Sequence, residues 1–207
     1  MAGGISALDR IRAERVVAVL RRVDDPDSVV DSLVRGGIRI VEVTLDSECV
    51  PATIERLRAR PGLTVLAGTV RTPEQAEAVA AAGAEACVTP GLVPAVVERC
   101  RDLGLPAIPG ALTPAEIEAA AALGAELIKL FPGSLGGPDY VRAVLAPLAG
   151  IELIVTGGVD ASNARDFMAA GAVAVGAGSS LTSAEDVEAE ARLLVTAVSP
   201  SRRGRPR

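Results

Sequence analysis

The chain has 207 residues, which suits one domain with a sizeable core, and 49% of its residues are apolar although only 1% are aromatic. The formal net charge is −5, and four arginines lie in the last six residues. The rest of the chain is therefore acidic, which argues against a broad nucleic-acid-binding surface. The absence of histidine excludes a Ser-His-Asp triad, a histidine base and a histidine-ligated metal.

Cysteine content and hydropathy indicate the compartment. The three cysteines (Cys49, Cys87 and Cys100) have no C-x-x-C spacing, which predicts buried thiols in a reducing environment. The sequence shows neither a signal-peptide pattern nor an apolar run of membrane length. We therefore expect a cytoplasmic protein without a membrane or nucleic-acid partner.

Short apolar runs recur about every twenty residues and predict eight strands separated by helices. Asp25-Pro26, Thr72-Pro73 and Thr113-Pro114 have the form of helix starts, and glycines close helices just before the next strand. The predicted strands are 16–20, 40–44, 64–68, 86–89, 106–110, 127–131, 152–156 and 172–176.

This alternation predicts a parallel sheet, most simply closed as a (β/α)₈ TIM barrel. We expect a single domain over 1–198, including an N-terminal helix, and a disordered basic C-terminal tail over 199–207. An open doubly wound sheet is the alternative. It is less favoured because no G-x-G-x-x-G follows the first strand.

An internal repeat identifies one layer of the barrel. The stretch 72–91 aligns with 113–132, and in both the key position lies five residues after a helix-closing glycine. Applying the same count to the second, fourth, sixth and eighth strands predicts an inward layer of Glu42, Val88, Lys129 and Gly176.

Lys129 is the only lysine in the chain, and every other cationic side chain is arginine. Burial favours the neutral amine, which attacks carbonyl groups, whereas arginine stays protonated. Glu42 is then a candidate to move protons beside it. The alternative is an ion pair that only fills the barrel, although buried pairs are weak stabilisers.

The mouth of the barrel carries the remaining candidates. Glycine-rich turns follow the seventh and eighth strands, where this fold often binds phosphate. A purely structural role stays open for Thr69 and Pro90 at strand ends, for Phe131 as core packing, and for Arg21 as an exposed cation. The candidate phosphate contacts are Gly157, Gly158, Gly178 and Ser179.

Taken together, these motifs resemble the 2-keto-3-deoxy-6-phosphogluconate (KDPG) aldolase family, which includes 4-hydroxy-2-oxoglutarate aldolases. The resemblance runs from about Val16 to Leu181. The segments that carry it are "GGIRIVEVTL", "LAGTV", "VTPG", "IPGALTPAE", "IKLFP", "TGGV" and "GAGSSL".

The resemblance implies a class I aldolase that needs neither metal nor cofactor and is commonly a homotrimer. It implies Lys129 as the Schiff-base lysine, Glu42 as the general acid/base, and Thr69 and Pro90 as pyruvate-side contacts. The substrate would be a phosphorylated 2-keto-3-deoxy sugar acid, cleaved reversibly to pyruvate and glyceraldehyde 3-phosphate, with 4-hydroxy-2-oxoglutarate as a further substrate.

One position departs from the family pattern. Many KDPG members read "EVTLRT" where this chain reads "EVTLDS", so Asp46 replaces an arginine that helps to hold the substrate carboxylate. Arg21 is placed to compensate, because "AVLR" resembles the related phosphogalactonate aldolases. Two other classes stay open at this point: a phosphate-binding isomerase or epimerase barrel, and a non-catalytic assembly scaffold.

Overall fold

Short parallel strands alternate with helices along residues 5–200, the part of the chain that the computed structural model describes. Nine strands are present in that part: β1 (Val16–Leu20), β2 (Ile40–Thr44), β3 (Thr64–Gly68), β4 (Ala86–Val88), β5 (Ala107–Ile108), β6 (Gly110–Ala111), β7 (Ile128–Leu130), β8 (Leu153–Thr156) and β9 (Ala174–Ala177). The helices are α1 (Ala7–Glu14), α2 (Pro26–Arg35), α3 (Val50–Arg58), α4 (Pro73–Ala81), α5 (Pro94–Asp102), α6 (Pro114–Ala122), α7 (Gly137–Leu145), α8 (Ala164–Ala169), α9 (Ser179–Thr182) and α10 (Val187–Val198), with a 3₁₀ turn over Gly133–Leu135.

The strands form one nearly closed barrel, which confirms the predicted fold class. Their order in the sheet is β5-β4-β3-β2-β1-β9-β8-β7-β6, and every pairing is parallel. The predicted N-terminal helix is α1. Most of the predicted tail, residues 201–207, lies outside the described residues, so its disorder stays a prediction.

The fifth predicted strand, 106–110, is in fact two strands. Pro109 lies between β5 and β6 and has no N–H to donate to a ladder, but its carbonyl accepts a hydrogen bond from the Lys129 N–H at 2.8 Å. As a result β5 pairs with β4 while β6 pairs with β7. The other seven predicted strands match the structure to within two residues at each end.

Helix α1 covers the N-terminal end of the barrel. Its buried face (Ala7, Leu8 and Ile11) belongs to the same apolar cluster as the lowest inward-facing side chains of the strands. Arg12 ties the helix to Glu152, just before β8, with an Nε–Oε2 distance of 2.8 Å. Helix α1 thus covers the barrel at this end, and the cavity among the described residues opens towards the C-terminal ends of the strands.

The helix boundaries follow from their caps. The Asp25 side chain accepts from the Ser28 N–H at the start of α2, and Thr113 and Glu116 form a complete capping box at the start of α6. Glycines with positive φ end several helices, as at Gly83 and Gly124. Within residues 5–200, no helix has both the length and the apolar character to span a lipid bilayer.

The cysteine prediction is confirmed in part. Cys87 on β4 and Cys100 on α5 are buried between the sheet and the helix layer. The pKa of the Cys87 thiol is raised, by its hydrogen bond with Cys100 and by burial. Cys49 is exposed, so the prediction is wrong there, because this residue occupies the N-cap of α3 in a left-handed conformation (φ 50°) at the surface.

Candidate active site

Lys129 and Glu42 meet inside the barrel. Lys129 lies on β7 and Glu42 on β2, and the lysine Nζ donates a hydrogen bond to Glu42 Oε1 at 3.2 Å. Their exposed fractions are 5% and 2%, respectively. Below them the interior is filled by apolar side chains such as Val17, Leu66 and Ile154. An amine in a low-dielectric enclosure therefore has one carboxylate as its partner.

Three of the four residues predicted from the repeat meet inside the barrel. Glu42, Val88 and Lys129 line one small internal space, and Gly176 on β9 shares with Lys129 the wall of a second, larger cavity. A Cβ on Gly176 would lie 2.6 Å from the Cγ2 of Thr156, so this glycine makes room for the neighbouring strand's side chain. Two ionisable residues thus occupy positions that branched aliphatic residues fill in a purely structural layer.

A cavity of about 350 Å³ lies above Lys129 at the C-terminal ends of the strands. It brings together Lys129 and most of the predicted substrate-side residues, whereas Glu42 reaches Lys129 from the interior below. The lining includes Arg21, Phe131, Gly157, Gly158, Gly178 and Ser179.

Phe131 is part of the cavity wall and not of the core. Its exposed fraction is 39%, and the Lys129 Nζ lies 5.6 Å from the centre of its ring. This position excludes the alternative of plain core packing. The aromatic ring narrows the approach to the amine and offers its face to a cation or to an apolar part of a ligand.

The turn after β8 requires its two glycines. Gly157 (φ 86°) and Gly158 (φ 78°) lie in the left-handed region. A Cβ on Gly157 would come within 2.9 Å of the Phe131 ring, and one on Gly158 would come within 2.5 Å of the Cβ of Ser134. Both glycines therefore fit closely against neighbouring side chains, and because they also line the cavity, their backbone is accessible to an anion. Gly178 and Ser179 enter from the start of α9 on the adjoining side.

Arg21 is held at the mouth by two partners. Its NH1 contacts Asp46 Oδ2 at 3.2 Å, and its NH2 donates to Thr69 Oγ1 at 3.3 Å. Burial alone raises the pKa of Asp46, but the charges of Arg21 and Arg22 and a backbone hydrogen bond within its own turn lower it, so the pKa is lowered overall. Asp46 is therefore an ionised partner of Arg21 at neutral pH.

Two predicted residues lie beside the cavity and not in its wall. Within residues 5–200, the cavity lining includes neither Thr69 nor Pro90. Thr69 reaches the site through Arg21 and has φ 61°, a rare conformation for a β-branched residue. Pro90 follows β4, and its carbonyl group packs directly against Gly110.

Sequence reasoning missed Thr156 on β8. Its hydroxyl is buried and has no hydrogen-bond partner among residues 5–200, and Thr156 lines both the internal space and the larger cavity. A strict alternation from Ile154 would have identified it, because residues two apart on a strand share a face. The hydroxyl is available to a ligand beside the Lys129 amine.

The chemistry available to the cavity depends on the buried amine and on the glycine turn. No group of three or more Asp, Glu or Cys side chains is arranged around a common point in 5–200. A buried amine paired with a carboxylate and a glycine-lined cavity above it suit a carbonyl compound that also carries an anionic group.

Comparison with known proteins gives a family match along most of the chain. The model of the KDPG and KHG aldolase family matches residues 8–198. A 2-dehydro-3-deoxy-phosphogluconate aldolase from Treponema pallidum is 37% identical over 195 residues, covering 93% of this chain and 92% of its own. A probable 2-dehydro-3-deoxy-6-phosphogalactonate aldolase from Rhizobium meliloti is 37% identical, covering 80% and 81%, respectively.

A solved structure shows the same fold with a ligand in place. The KDPG aldolase of Legionella pneumophila, crystallised with pyruvate captured at low pH as a covalent carbinolamine intermediate, superposes with a TM-score of 0.78. It is 26% identical in sequence, and the match covers 92% of this chain and 95% of that one.

Proposed function

Because the chain belongs to the KDPG and KHG aldolase family and is therefore an aldolase, a carbon–carbon lyase, we propose that it is a class I enzyme acting through an imine on Lys129. The proposed substrate is KDPG, cleaved reversibly to pyruvate and glyceraldehyde 3-phosphate. 4-Hydroxy-2-oxoglutarate, cleaved to pyruvate and glyoxylate, is a second proposed substrate. Membership of an aldolase family leaves the isomerase and scaffold alternatives without support.

The contact between Lys129 Nζ and Glu42 Oε1 is the observation that carries this proposal. The amine adds to the C2 carbonyl of the keto acid, and loss of water gives an iminium. Glu42 takes the proton of the C4 hydroxyl while the C3–C4 bond breaks, and the electrons of that bond form the enamine. The aldehyde leaves, C3 takes a proton back, and hydrolysis releases pyruvate and the free amine.

The rest of the cavity supports the two ends of the substrate. We propose that Arg21 contacts the pyruvate end and that Phe131 covers the imine, while Thr69 and Pro90, which lie beside the cavity, support that end from outside its wall. The glycine turn at Gly157 and Gly158, with Gly178 and Ser179 opposite, would bind the phosphate. The Legionella relative, whose captured pyruvate is a covalent carbinolamine, supports covalent chemistry for this family.

Reductive trapping tests the imine directly. Incubation with pyruvate and borohydride should add the mass of one pyruvic acid less one oxygen atom, and peptide mapping should place it on Lys129. The assignment is unusually clean because the only other amine is the N-terminus. Lys129→Arg is the matched control and should not be modified. An unmodified wild-type protein, or modification elsewhere, would refute the imine mechanism.

A phosphogalactonate-derived substrate is the second candidate, and the position of Arg21 favours it. The cation at the mouth comes from the end of β1 and not from residue 46, which is an aspartate here. The Rhizobium relative carries the corresponding name. Pyruvate release from the gluconate- and galactonate-derived substrates, from 4-hydroxy-2-oxoglutarate and from an unphosphorylated analogue decides among these substrates.

We also propose a cytoplasmic homotrimer, as family resemblance implies. Large apolar side chains are exposed on the described surface, including Leu135 (69%) and Leu193 (57%). Burying such side chains between subunits would remove apolar area from water. Light scattering of the purified protein tests the assembly, and a monomer at micromolar concentration would contradict it.

A further inference from the structure

The contacts of Arg21 join the ends of three neighbouring strands. Arg21 follows β1, Asp46 lies in the turn after β2, and Thr69 follows β3. The NH1–Oδ2 distance to Asp46 is 3.2 Å and the NH2–Oγ1 distance to Thr69 is 3.3 Å. The side chain of Arg21 is 49% exposed, but that of Asp46 is only 23% exposed. The carboxylate therefore supports the guanidinium from the more buried side.

The turn that carries Asp46 is itself fixed to β1. The Ser47 hydroxyl accepts from the Arg22 N–H at 2.9 Å, and the buried Thr44 hydroxyl donates to the Leu20 carbonyl at 3.1 Å. Arg22 also places its Nε 3.7 Å from the same Asp46 oxygen that Arg21 contacts. Asp46 is consequently a fixed point against which a long, half-exposed arginine can be oriented.

These contacts leave the arginine able to bind an anion. A guanidinium has five N–H donors, and within residues 5–200 the contacts with Asp46 and Thr69 use two of them, which leaves three for a ligand at the cavity mouth. Two arginines face one aspartate in the cluster, so its net charge stays positive. An aspartate at this position therefore need not repel a substrate carboxylate.

We propose that Asp46 is a positioning residue, which holds Arg21 in the orientation that receives the carboxylate of the keto acid. The inference rests on the proposed function, since it assigns the anion at Arg21 to the pyruvate end of the substrate. Asp46 does not touch the substrate itself. Fixing the arginine before binding lowers the conformational entropy that binding must otherwise remove.

The test uses pyruvate and borohydride with single and double variants. In Asp46→Ala we expect the pyruvate concentration for half-maximal trapping to rise about three- to tenfold, because Arg21 regains its rotamer freedom. The trapping rate at saturating pyruvate should stay at the wild-type value. Glu48→Ala, which removes an exposed carboxylate from the same turn, is the matched control and should leave both values unchanged.

A double-substitution cycle shows whether Asp46 acts through Arg21. In the Arg21→Ala background, Asp46→Ala should cause no further change, whereas a merely structural role would persist in both backgrounds. Asp46→Asn keeps the shape of the side chain and one acceptor oxygen. We expect the pyruvate concentration for half-maximal trapping to rise about twofold, because a neutral acceptor holds a guanidinium less firmly. This variant serves if Asp46→Ala does not fold.

The outcomes separate this inference from the proposed function. Suppose that pyruvate modifies the wild type, but that the pyruvate concentration for half-maximal trapping is unchanged or lowered in both Asp46 variants. The positioning role is then overturned, while the imine mechanism is not. An equal effect of Asp46→Ala with and without Arg21 also overturns it. A wild-type protein that pyruvate does not modify overturns the proposed function and the inference together.

Discussion

A Cβ atom on Gly68 would lie 2.6 Å from the Cγ and 2.7 Å from the Cδ of Glu42, so Gly68 provides the space that the Glu42 side chain occupies. Gly68 ends β3 and is the register partner of Thr44 on β2. The missing side chain lets the carboxyl group bend across the neighbouring strand towards Lys129. A glycine on one strand therefore determines where the proposed acid/base of another strand lies.

Gly68→Ala should impair catalysis more than folding. The new methyl group must displace the Glu42 carboxyl group, and a shift of about 1 Å in a catalytic group costs on the order of a hundredfold in rate. We expect kcat to fall by about that factor while a folded barrel is retained, as measured by pyruvate release and circular dichroism. Gly91→Ala is the matched control, since a Cβ there meets no atom within 4 Å. Unchanged kcat in Gly68→Ala would show that Glu42 is not positioned by this space.

Removing only one partner of the buried Lys129–Glu42 pair should lower the stability of the protein. Lys129→Met leaves the Glu42 carboxylate unpaired, and we expect the free energy of unfolding to fall by about 3 kcal/mol. Replacing both residues by methionine should restore at least the wild-type stability, because the desolvation of both charges is removed. Neither variant should be trapped by pyruvate. Urea unfolding at pH 7 measures the difference.

An exposed ion pair provides the comparison for that experiment. Arg142 and Asp139 are in contact, but their side chains are 59% and 94% exposed. Arg142→Met should therefore change the free energy of unfolding by less than about 1 kcal/mol. If Lys129→Met were as mild as Arg142→Met, the buried contact would not be a desolvated pair, and a charged Lys129 would be as acceptable there as at the surface.

Two buried threonines should respond in opposite ways to replacement by valine. The Thr156 hydroxyl has no hydrogen-bond partner in the described part of the chain, so Thr156→Val should leave the free energy of unfolding unchanged or raise it by about 1 kcal/mol. The Thr44 hydroxyl donates to the Leu20 carbonyl, so Thr44→Val should lower it by about 1 kcal/mol. We expect kcat/KM of Thr156→Val to fall about tenfold, through loss of a hydrogen bond to the substrate. Full activity would exclude this hydroxyl from substrate binding.

A negative charge at Ser179 should discriminate between the two ends of the substrate. Ser179→Asp places a carboxylate in the wall of the cavity, where it repels a phosphate group. We expect kcat/KM for the phosphorylated substrate to fall about a hundredfold, while trapping by pyruvate stays normal. Ser183→Asp adds the same charge to an exposed residue beyond α9 and should change neither value. If kcat/KM for an unphosphorylated analogue fell by the same factor, this turn would not be the phosphate-binding site.

Periodicity predicted the barrel and the inward position of Glu42 and Lys129 because both depend on local, repeated rules. The inward-facing set follows from strand alternation and from the fixed distance between a helix-closing glycine and the strand, so Glu42 and Lys129 could be paired before the structure was known. The same rules apply to Thr156, which shares the inward face with Ile154. Alternation from Ile154 to the last residue of β8 places Thr156 on that face.

Contacts between loops could not be derived in the same way. The partnership of Arg21 with Asp46 depends on the conformations of two separate turns, and no periodic pattern encodes the distance between them. The division of the fifth strand at Pro109 depends on which neighbour each half can reach. The Glu42 side chain occupies the space beside Gly68 only because of the rotamer that it adopts. Such features arise from tertiary packing, which sequence patterning does not determine.

The internal repeat provides a matched pair for a test of pH dependence. Glu116 accepts hydrogen bonds from the Thr113 N–H at 2.8 Å and the Leu112 N–H at 3.0 Å, while in the other copy Gln75 accepts from the Arg71 N–H at 2.7 Å. The backbone N–H and hydroxyl of Thr113, together with the Leu112 N–H, lower the pKa of Glu116 from its ordinary value of 4.5. Only one of the two equivalent caps can therefore be titrated.

A carboxyl group with a lowered pKa in the folded state stabilises the protein above the pKa of the unfolded chain, and this contribution is lost as pH falls through the folded-state value. The loss of unfolding free energy caused by Glu116→Ala should therefore be largest at pH 7 and should become smaller below a pH of about 4.5. The decrement from Gln75→Ala should stay constant over the same range, because an amide does not titrate. Urea unfolding across that range compares the two, and parallel pH profiles would show that the charge of Glu116 contributes nothing to the cap.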